Sequence, residues 1–252
     1  MKPHRWVVDE PDIPFELEIL YEDAGIIVVD KPHFLATTPR GMWYRQTALI
    51  RLREQFGEPD IIPAHRLDRM TAGVLVFVRD PALRRAYQML FQERRVNKTY
   101  ECLAPCVPLH RPHTGTVVQL EPPRPFPLER RSHMVKDRGR LQAYEIPGTP
   151  NACTVVERYA WHSRDVSGVR LARYVLKPFT GKTHQLRVHM ASLGVPIVGD
   201  NLYPRIVEKP YDDFTQPLEL VARTLSFDDP VTGKPYSFTS RVSLGVSAGD
   251  EG

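Results

Sequence analysis

Apolar residues recur along the chain in short runs between polar turns, and two segments instead show helical spacing. The apolar run at 26–29 and "GVLVFVRD" at 73–80 predict buried strands, since runs of four to eight apolar residues between turn signals are typical of strands. "TALIRLREQF" at 47–56 and "PALRRAYQMLFQERRV" at 81–96 have apolar residues three and four positions apart. These two segments therefore predict amphipathic helices, the second starting at Pro81 and ending near Asn97.

The second half of the chain predicts further strands and one more helix. "KTYECLA" predicts a strand beginning at Tyr100, and the runs at 153–162 and 169–178 predict a long hairpin joined by "SRDVSG". "TGKTHQLRVHMASLG" predicts a helix with Thr183 as N-cap and Gly194 just past its end. Its apolar stripe is formed by Leu186, Met190 and Leu193, with Arg187 at the boundary of the buried face.

Strands outnumber helices and come in consecutive groups, which favours an α+β fold with a mixed, mostly antiparallel sheet flanked by helices and loops. Residues 1–18 are predicted to form an N-terminal extension and residues 241–252 a C-terminal tail. One domain is predicted over 19–240. Within it, residues 105–150 are rich in Pro, Arg and His and predict a basic, loop-rich insertion with short hairpin strands.

Composition limits the possible classes of protein. The chain has 252 residues, 42% of them hydrophobic, and a net charge of +4, which permits a polyanionic partner without requiring one. Three cysteines without a secretory start predict a cytoplasmic protein, and no apolar stretch is long enough to span a membrane. His184 and His189 lie about 140° apart around a helix, so no metal site is predicted from them.

The stretch "PAHRLDRMTAG" at 63–73 places one carboxylate, Asp68, among His65, Arg66 and Arg69. Asp68 lies shortly before Gly73, which suggests a turn, and at the start of a predicted buried strand. Neighbouring cations hold such a carboxylate ionised. An ionised aspartate can act as a nucleophile or a base, or it can form an ion pair that orients a loop, and this segment alone leaves both possibilities open.

Four segments, in order, closely resemble those of the RluA-type pseudouridine synthases, and together they cover about residues 19–227. They are "EDAGIIVVDKP", "HRLDRMTAG", "NKTYECLA" and "KPFTGKTHQLRVHMASLGVPIVGDNLYP". The chain departs from the family pattern in several places. Met70 and Ala72 replace an acidic residue and a serine, Phe34 stands where glycine is common, and Lys182 replaces an arginine.

The resemblance implies the pseudouridine-synthase catalytic fold and an RNA-modifying isomerase. Such an enzyme converts a specific uridine of ribosomal or transfer RNA to pseudouridine without a metal, a nucleotide or another cofactor. By this resemblance Asp68 is the nucleophile and Arg187 its salt-bridge partner. Tyr100 stacks on the uracil and stands near C5, where its phenol can act as the base.

The resemblance also implies residues that bind the RNA. Arg66 fills the space left when the target uridine is flipped out of its stack. His65 supports the loop, Leu186 either walls the pocket or belongs to the core, and Arg69 and Lys182 handle the anionic substrate. Candidate phosphate contacts from the basic segments are Arg94, Arg95, Lys98, Arg130, Arg131, Lys136, Arg138, Arg140 and Lys182.

No separate N-terminal RNA-binding domain is expected before residue 19, and a monomer is expected. Two other functions fit parts of the sequence. One is an RNA-binding protein of the same fold that has lost catalysis, suggested by Met70 and Ala72. The other is a carboxylate-based nucleoside hydrolase, which needs a second acid such as Glu93, Glu101 or Asp200.

Overall fold

The computed structural model describes residues 10–166 and 169–245, without the side chains of 160–166. Within these ranges the strands are β1 (Glu18–Glu22), β2 (Ile26–Lys31), β3 (Ile62–Pro63), β4 (Ala72–Val78), β5 (Asn97–Pro105), β6 (Thr116–Gln119), β7 (Leu128–Val135), β8 (Tyr144–Ile146), β9 (Ala152–Val166), β10 (Val169–Pro178), β11 (Leu220–Asp228) and β12 (Pro235–Thr239). The α-helices are α1 (Ala48–Phe56), α2 (Arg84–Gln92) and α3 (Gln185–Ser192).

The described residues fall into two compact units. Unit 1 contains residues 10–97, 210–215 and 221–243, and unit 2 contains the remainder. In unit 1, β2 pairs antiparallel with β1 and β4, and β3 pairs antiparallel with β4. β11 pairs parallel with β4 and antiparallel with β12.

The core of unit 1 forms around β2 and β4, whose residues are all buried. β2 is rich in Ile and Val and β4 in Val, and these β-branched residues suit a pleated surface with both faces covered. Tyr87 and Leu90 of α2 pack with apolar side chains of β2 and β4 in one buried cluster. Both strand predictions are therefore confirmed, and the strand that follows Asp68 is buried as expected.

The two helices of unit 1 test the sequence signals for helix ends. The prediction for α1 is confirmed: the Thr47 hydroxyl accepts a hydrogen bond from the Ile50 amide, and Gly57 ends the helix with φ +67°. The helical segment that includes α2 starts at Pro81 as predicted, but the end predicted near Asn97 is wrong. Pro81–Leu83 form a 3₁₀ turn before the helix, which stops at Gln92, and Arg94 adopts φ +59° just beyond.

Gly73 lies inside β4 and not in the turn that the sequence suggested. Its φ is +114°, and a Cβ atom built there would lie 2.3 Å from the carbonyl oxygen of Ala222 on β11. Glycine is therefore needed at this position because two parallel strands approach each other closely.

Unit 2 is an antiparallel sheet in which β5, β10, β9, β7 and β6 are successive neighbours and β8 pairs with β7. The long hairpin of β9 and β10 is confirmed, although β9 continues to Val166 and takes up most of the predicted connection. Residues 167–168 of that connection lie outside the described residues. β5 begins three residues before Tyr100.

Residues 105–150 contain more regular structure than predicted. β7 crosses this segment, pairs on both sides and buries every second residue. One of the buried residues is Arg130, which is fully inaccessible and donates to Glu145 Oε2 at 2.6 Å. The prediction that Arg130 contacts phosphate is therefore wrong.

Helix α3 begins at Gln185, and its N-cap is His184 with φ +56°, so the predicted Thr183 N-cap is wrong. Residues 185–190 are all buried, so the helix lacks the single apolar stripe that the sequence suggested. Gly194 follows the helix with φ +80°, as predicted. The arrangement of strands in both units confirms the α+β, mostly antiparallel fold class. In the described ranges, no helix is both long and apolar enough to cross a membrane.

Candidate active site

Asp68 lies half-buried on the loop between β3 and β4, called here the Asp68 loop (residues 64–71). Thr37 fixes this loop from one side: its hydroxyl donates to the Leu67 carbonyl at 2.8 Å and accepts from the Leu67 amide at 3.1 Å. On the other side, the Thr71 amide donates to the Asp68 carbonyl at 3.1 Å. The backbone at Asp68 is thus held by contacts immediately before and after it.

A buried cation, Lys31, lies beside this loop. Its Nζ donates to the carbonyls of Leu35 at 2.7 Å, Pro32 at 2.8 Å and Arg69 at 3.4 Å. Burial lowers the pKa of Lys31 to about 7, and the charge of Asp68 opposes that fall. No role for Lys31 was predicted from the sequence. The Lys-Pro pair within the first family-like segment was the available signal for Lys31.

His33 and His65 support the Asp68 loop. His33 Nδ1 hydrogen-bonds the Met70 carbonyl at 2.8 Å, and burial lowers the His33 pKa to about 4. His65 Nε2 accepts from the Val76 amide at 3.2 Å, and the His65 ring stacks on Phe91 with centroids 4.2 Å apart. These contacts agree with the expected supporting role of His65, while contact of His65 with RNA stays a prediction.

The two arginines of the loop have different surroundings. Arg66 is exposed to solvent. Arg69 is half-buried: its guanidinium lies over Trp43, 4.9 Å from the ring centroid, and Nη1 donates to the Phe34 carbonyl at 3.4 Å. The loop therefore presents one solvent-accessible guanidinium, that of Arg66, and one packed guanidinium, that of Arg69.

In unit 2, strand pairing brings Tyr100 close to the segment that leads into α3. Tyr100 is half-buried and pairs with Leu176 near the end of β10. A Cβ atom built on Gly181 would lie 3.9 Å from Lys98 Nζ, so Lys98 and the 179–184 loop are neighbours. Lys182 on that loop is exposed, and Leu186 on the helix is buried.

Gln185 and Thr180 hold the start of α3. Thr180 Oγ1 donates to Gln185 Oε1 at 2.7 Å, and Gln185 Nε2 donates to the Cys153 carbonyl and to Thr154 Oγ1 at 3.0 and 2.9 Å. These bonds anchor the helix to β9. They fix the position from which Leu186 and Arg187 project.

Arg187 forms a buried, two-pronged ion pair with Asp200. Nε donates to Oδ2 at 2.8 Å and Nη2 donates to Oδ1 at 2.6 Å. Asp200 Oδ1 also accepts from the amides of Leu202 and Tyr203, at 2.8 and 3.0 Å. Charge-assisted bonds of this geometry orient an arginine strongly.

From the sequence, Asp200 was considered only as the second acid of a hydrolase and not as the partner of Arg187. The signal was the Gly-Asp pair in the last family-like segment. Gly199 adopts φ +75°, and a Cβ atom there would lie 1.8 Å from the Pro217 carbonyl, so the turn that presents Asp200 needs glycine. The predicted pairing of Arg187 with Asp68 is a separate matter and stays a prediction.

The structure thus places His65, Arg66, Asp68 and Arg69 on one loop of unit 1. In unit 2 it places Tyr100 on β5, Lys182 on the loop before α3, and Leu186 and Arg187 in the first turn of α3. In residues 10–166 and 169–245, no group of three His, Cys, Asp or Glu side chains is arranged to hold a metal ion. The three cysteines are reduced thiols.

Comparison with known proteins gives a consistent result. The profile of the RNA pseudouridylate synthase family matches residues 25–192. The dual-specificity RNA pseudouridine synthase RluA of Haemophilus influenzae is 30% identical over 236 residues, which cover 92% of this chain and 95% of that protein. The human pseudouridylate synthase RPUSD2 is 30% identical over 208 residues, which cover 80% of this chain and 33% of that protein.

A solved structure shows the same fold. Human RNA pseudouridylate synthase domain containing 1 superposes with a TM-score of 0.66 at 24% identity, covering 93% of this chain and 86% of that one. The family match spans more than half of the chain, and the relatives align over most of it. The chain therefore belongs to the RluA-type RNA pseudouridine synthases, and it is an RNA-modifying isomerase.

Proposed function

We propose that this enzyme converts a specific uridine of ribosomal or transfer RNA to pseudouridine, with Asp68 as the nucleophile. The observation that carries the proposal is the support of the Asp68 loop. Thr37 and Thr71 fix the backbone on either side of Asp68, and the buried Lys31 lies beneath it. A carboxylate carried on a backbone that is fixed in one position suits attack on an electron-poor carbon.

The reaction itself needs few chemical groups. The bond between uracil N1 and ribose C1′ breaks, a bond between C5 and C1′ forms, C5 loses one proton and N1 gains one. Substrate and product are isomers, so the balance requires no oxidant, reductant or second substrate. Asp68 attacks either C1′ or uracil C6, or assists a glycal route, and the phenol of Tyr100 removes the proton from C5.

Arg187 is proposed to keep Asp68 charged and aimed. An arginine has two edges that can bind a carboxylate, and Asp200 takes the edge formed by Nε and Nη2. We propose that Arg187 is the salt-bridge partner of Asp68. The pair with Asp200 supports this role because it fixes the orientation of the guanidinium before the substrate arrives.

RNA binding is proposed to involve Arg66 and two cations near the start of α3, the exposed Lys182 and the half-buried Lys98. Isomerisation requires the target uridine to leave its stack, which costs a few kcal/mol. The exposed guanidinium of Arg66 is suited to fill the vacated space, because its neighbours Leu67 and His65 are held by hydrogen bonds to Thr37 and Val76. Lys98 and Lys182 are suited to contact phosphates.

Residues 19–240 are proposed to form the catalytic domain, acting as a monomer in the cytoplasm. The Haemophilus influenzae relative carries dual specificity in its name, so both ribosomal and transfer RNA need to be examined. The test is to map pseudouridine by carbodiimide-dependent primer-extension stops in total RNA from hosts with and without the gene. Complementation uses the wild-type gene and the Asp68→Asn variant.

Stops that vanish in the deletion strain and return only with the wild-type gene are expected, and they name the RNA and the uridine. An unchanged set of stops in the deletion strain contradicts the proposal that this enzyme modifies these RNAs. Stops restored by Asp68→Asn contradict the nucleophile assignment alone.

A further inference from the structure

The segment 210–215 belongs to unit 1, although the residues on both sides of it, 98–209 and 216–220, belong to unit 2. Two aromatic side chains attach it to unit 1. Phe214 packs edge-on against Phe34 with ring centroids 5.2 Å apart, and Tyr211 packs edge-on against Trp43 at 6.3 Å. Residues 210–215 are thus held in unit 1 in part by these two ring pairs.

Phe34, whose ring contacts Phe214, has a strained backbone. Its φ is +66°, a conformation in which a bulky residue is a genuine outlier, and it stands where glycine is common in the family. Its ring is buried between Phe15, stacked at 5.8 Å, and Phe214. A glycine would relieve the strain but could not hold Phe214, so the phenylalanine serves to fix the 210–215 segment.

The second attachment connects Tyr211 to the Asp68 loop. Arg69, next to Asp68 in the sequence, places its guanidinium over Trp43, and the Trp43 ring in turn supports Tyr211. Trp43 is 7% exposed and Tyr211 is 60% exposed. Tyr211 is therefore a large aromatic ring that packs against Trp43 and is otherwise open to solvent.

We propose that Tyr211 stacks on an unpaired nucleotide that flanks the target uridine. The proposal rests on the proposed function, because it places the flanking nucleotide beside the Asp68 loop. Aromatic side chains bind single-stranded RNA by stacking on bases, which all have a flat π face. A target uridine that has been flipped out leaves neighbours that have lost a stacking partner.

Charge around Tyr211 favours RNA as the occupant over an apolar protein surface. Arg40 and Arg45 are exposed on the same loop as Trp43, and we expect them to contact the phosphates of the stacked strand. Asp212 is the exposed acid next to Tyr211, and it disfavours a phosphate directly over the ring. The base is thus expected on Tyr211 and the sugar-phosphate chain on the side of the two arginines.

The test measures binding without turnover. All variants carry Asp68→Asn, and the probe is a fluorescein-labelled single-stranded oligouridylate followed by fluorescence polarisation. Tyr211→Ala is expected to weaken binding about 5- to 150-fold, as for the loss of one stacked base, while Tyr211→Phe keeps affinity within about two-fold because the ring remains. Tyr159→Ala on β9 is the matched control, since Tyr159 is 54% exposed, and it should leave affinity unchanged.

Salt dependence separates stacking from charge. The loss caused by Tyr211→Ala should be the same at every salt concentration, whereas Arg45→Gln should reduce the slope of log affinity against log salt by about one. Affinity unchanged in Tyr211→Ala, or a loss in Tyr211→Phe as large as in Tyr211→Ala, overturns the proposal. Because fluorescence polarisation measures binding and not turnover, these outcomes do not depend on whether Asp68 is the nucleophile.

Discussion

The Asp68 loop and strand β7 are both rich in arginine in the sequence, but their arginines have opposite environments. Arg66 on the loop is exposed, beside a backbone that is fixed by hydrogen bonds. On β7, Arg130 is buried with Glu145, and Arg131 is exposed but bound to Glu129 at 2.6 Å. The loop presents a cation to a ligand, whereas both of these strand arginines are engaged in ion pairs.

The difference shows that a count of basic residues is a poor guide to an RNA-binding surface. Arg130 uses its guanidinium to tie several pieces of unit 2 together. It donates to the carbonyls of Thr114 and Arg131 at 2.9 and 2.7 Å and to Ser192 Oγ on α3 at 3.2 Å. The insertion is therefore linked by Arg130 to the helix that carries Arg187.

Replacing Arg130 tests whether its buried ion pair stabilises the fold, and it has the largest expected effect on stability. Arg130→Met leaves Glu145 buried without its cation, so the free energy of unfolding should fall by about 3–5 kcal/mol. Arg131→Met removes an exposed pair and should cost less than about 1 kcal/mol. Urea unfolding of both variants checks this, and equal losses would contradict the assignment.

Replacing Arg66 tests whether the exposed arginine of the Asp68 loop acts on the RNA substrate. Arg66→Ala should lower kcat/KM on the substrate RNA by about 10- to 100-fold, because the flipped state loses the side chain that fills the vacated stack. Its free energy of unfolding should stay within about 0.5 kcal/mol of wild type, since the side chain is exposed. Arg124→Ala, at an exposed arginine that pairs with Glu121, is the control and should leave kcat/KM unchanged. A similar loss in both variants would mean that general charge, not the position of Arg66, matters.

Acid titration tests the buried network around Arg130 more finely. Burial, and then the charge of Arg130, lowers the pKa of His189 to about 3. Between pH 6.5 and 3, His189 is protonated in the unfolded chain but not in the folded chain. The free energy of unfolding therefore falls as the pH drops from about 6.5 towards 3. The slope from this residue is at most about 1.4 kcal/mol per pH unit.

His189→Gln removes this proton uptake, so the variant should lose less stability than wild type over the same pH range. Urea unfolding at several pH values between 7 and 4 provides the comparison. His33, whose pKa burial lowers to about 4, contributes a similar slope to both proteins. Parallel pH profiles for wild type and His189→Gln would show that His189 is accessible to protons in the folded state.

Local signals predicted those parts of the fold that depend on neighbouring residues. Helix α1 forms over the segment predicted from its apolar spacing, Gly194 ends α3, and the strand that follows Asp68 is buried, because each of these outcomes follows from chemistry within a few positions. The motif around Asp68 likewise identified the candidate nucleophile. The same local signals failed at Thr183, since the segment before α3 is held by Gln185 and Thr180 instead.

Features that depend on distant residues were not predictable in this way. Arg130 appeared as a surface cation because its partner, Glu145, lies on another strand. Gly73 suggested a turn because the close approach of β11 is invisible in the local sequence. The attachment of 210–215 to unit 1 depends on Phe34, more than 170 residues earlier in the chain.

The central claim is that Asp68 performs the chemistry, and release of tritium from RNA labelled at C5 of uridine tests it most directly. Asp68→Asn keeps the size of the side chain but removes its charge, so tritium release should fall by more than about 10⁴-fold while RNA binding persists. Glu54→Gln, an exposed acid on α1, should behave as wild type. Tritium release by Asp68→Asn within about tenfold of wild type would contradict the account.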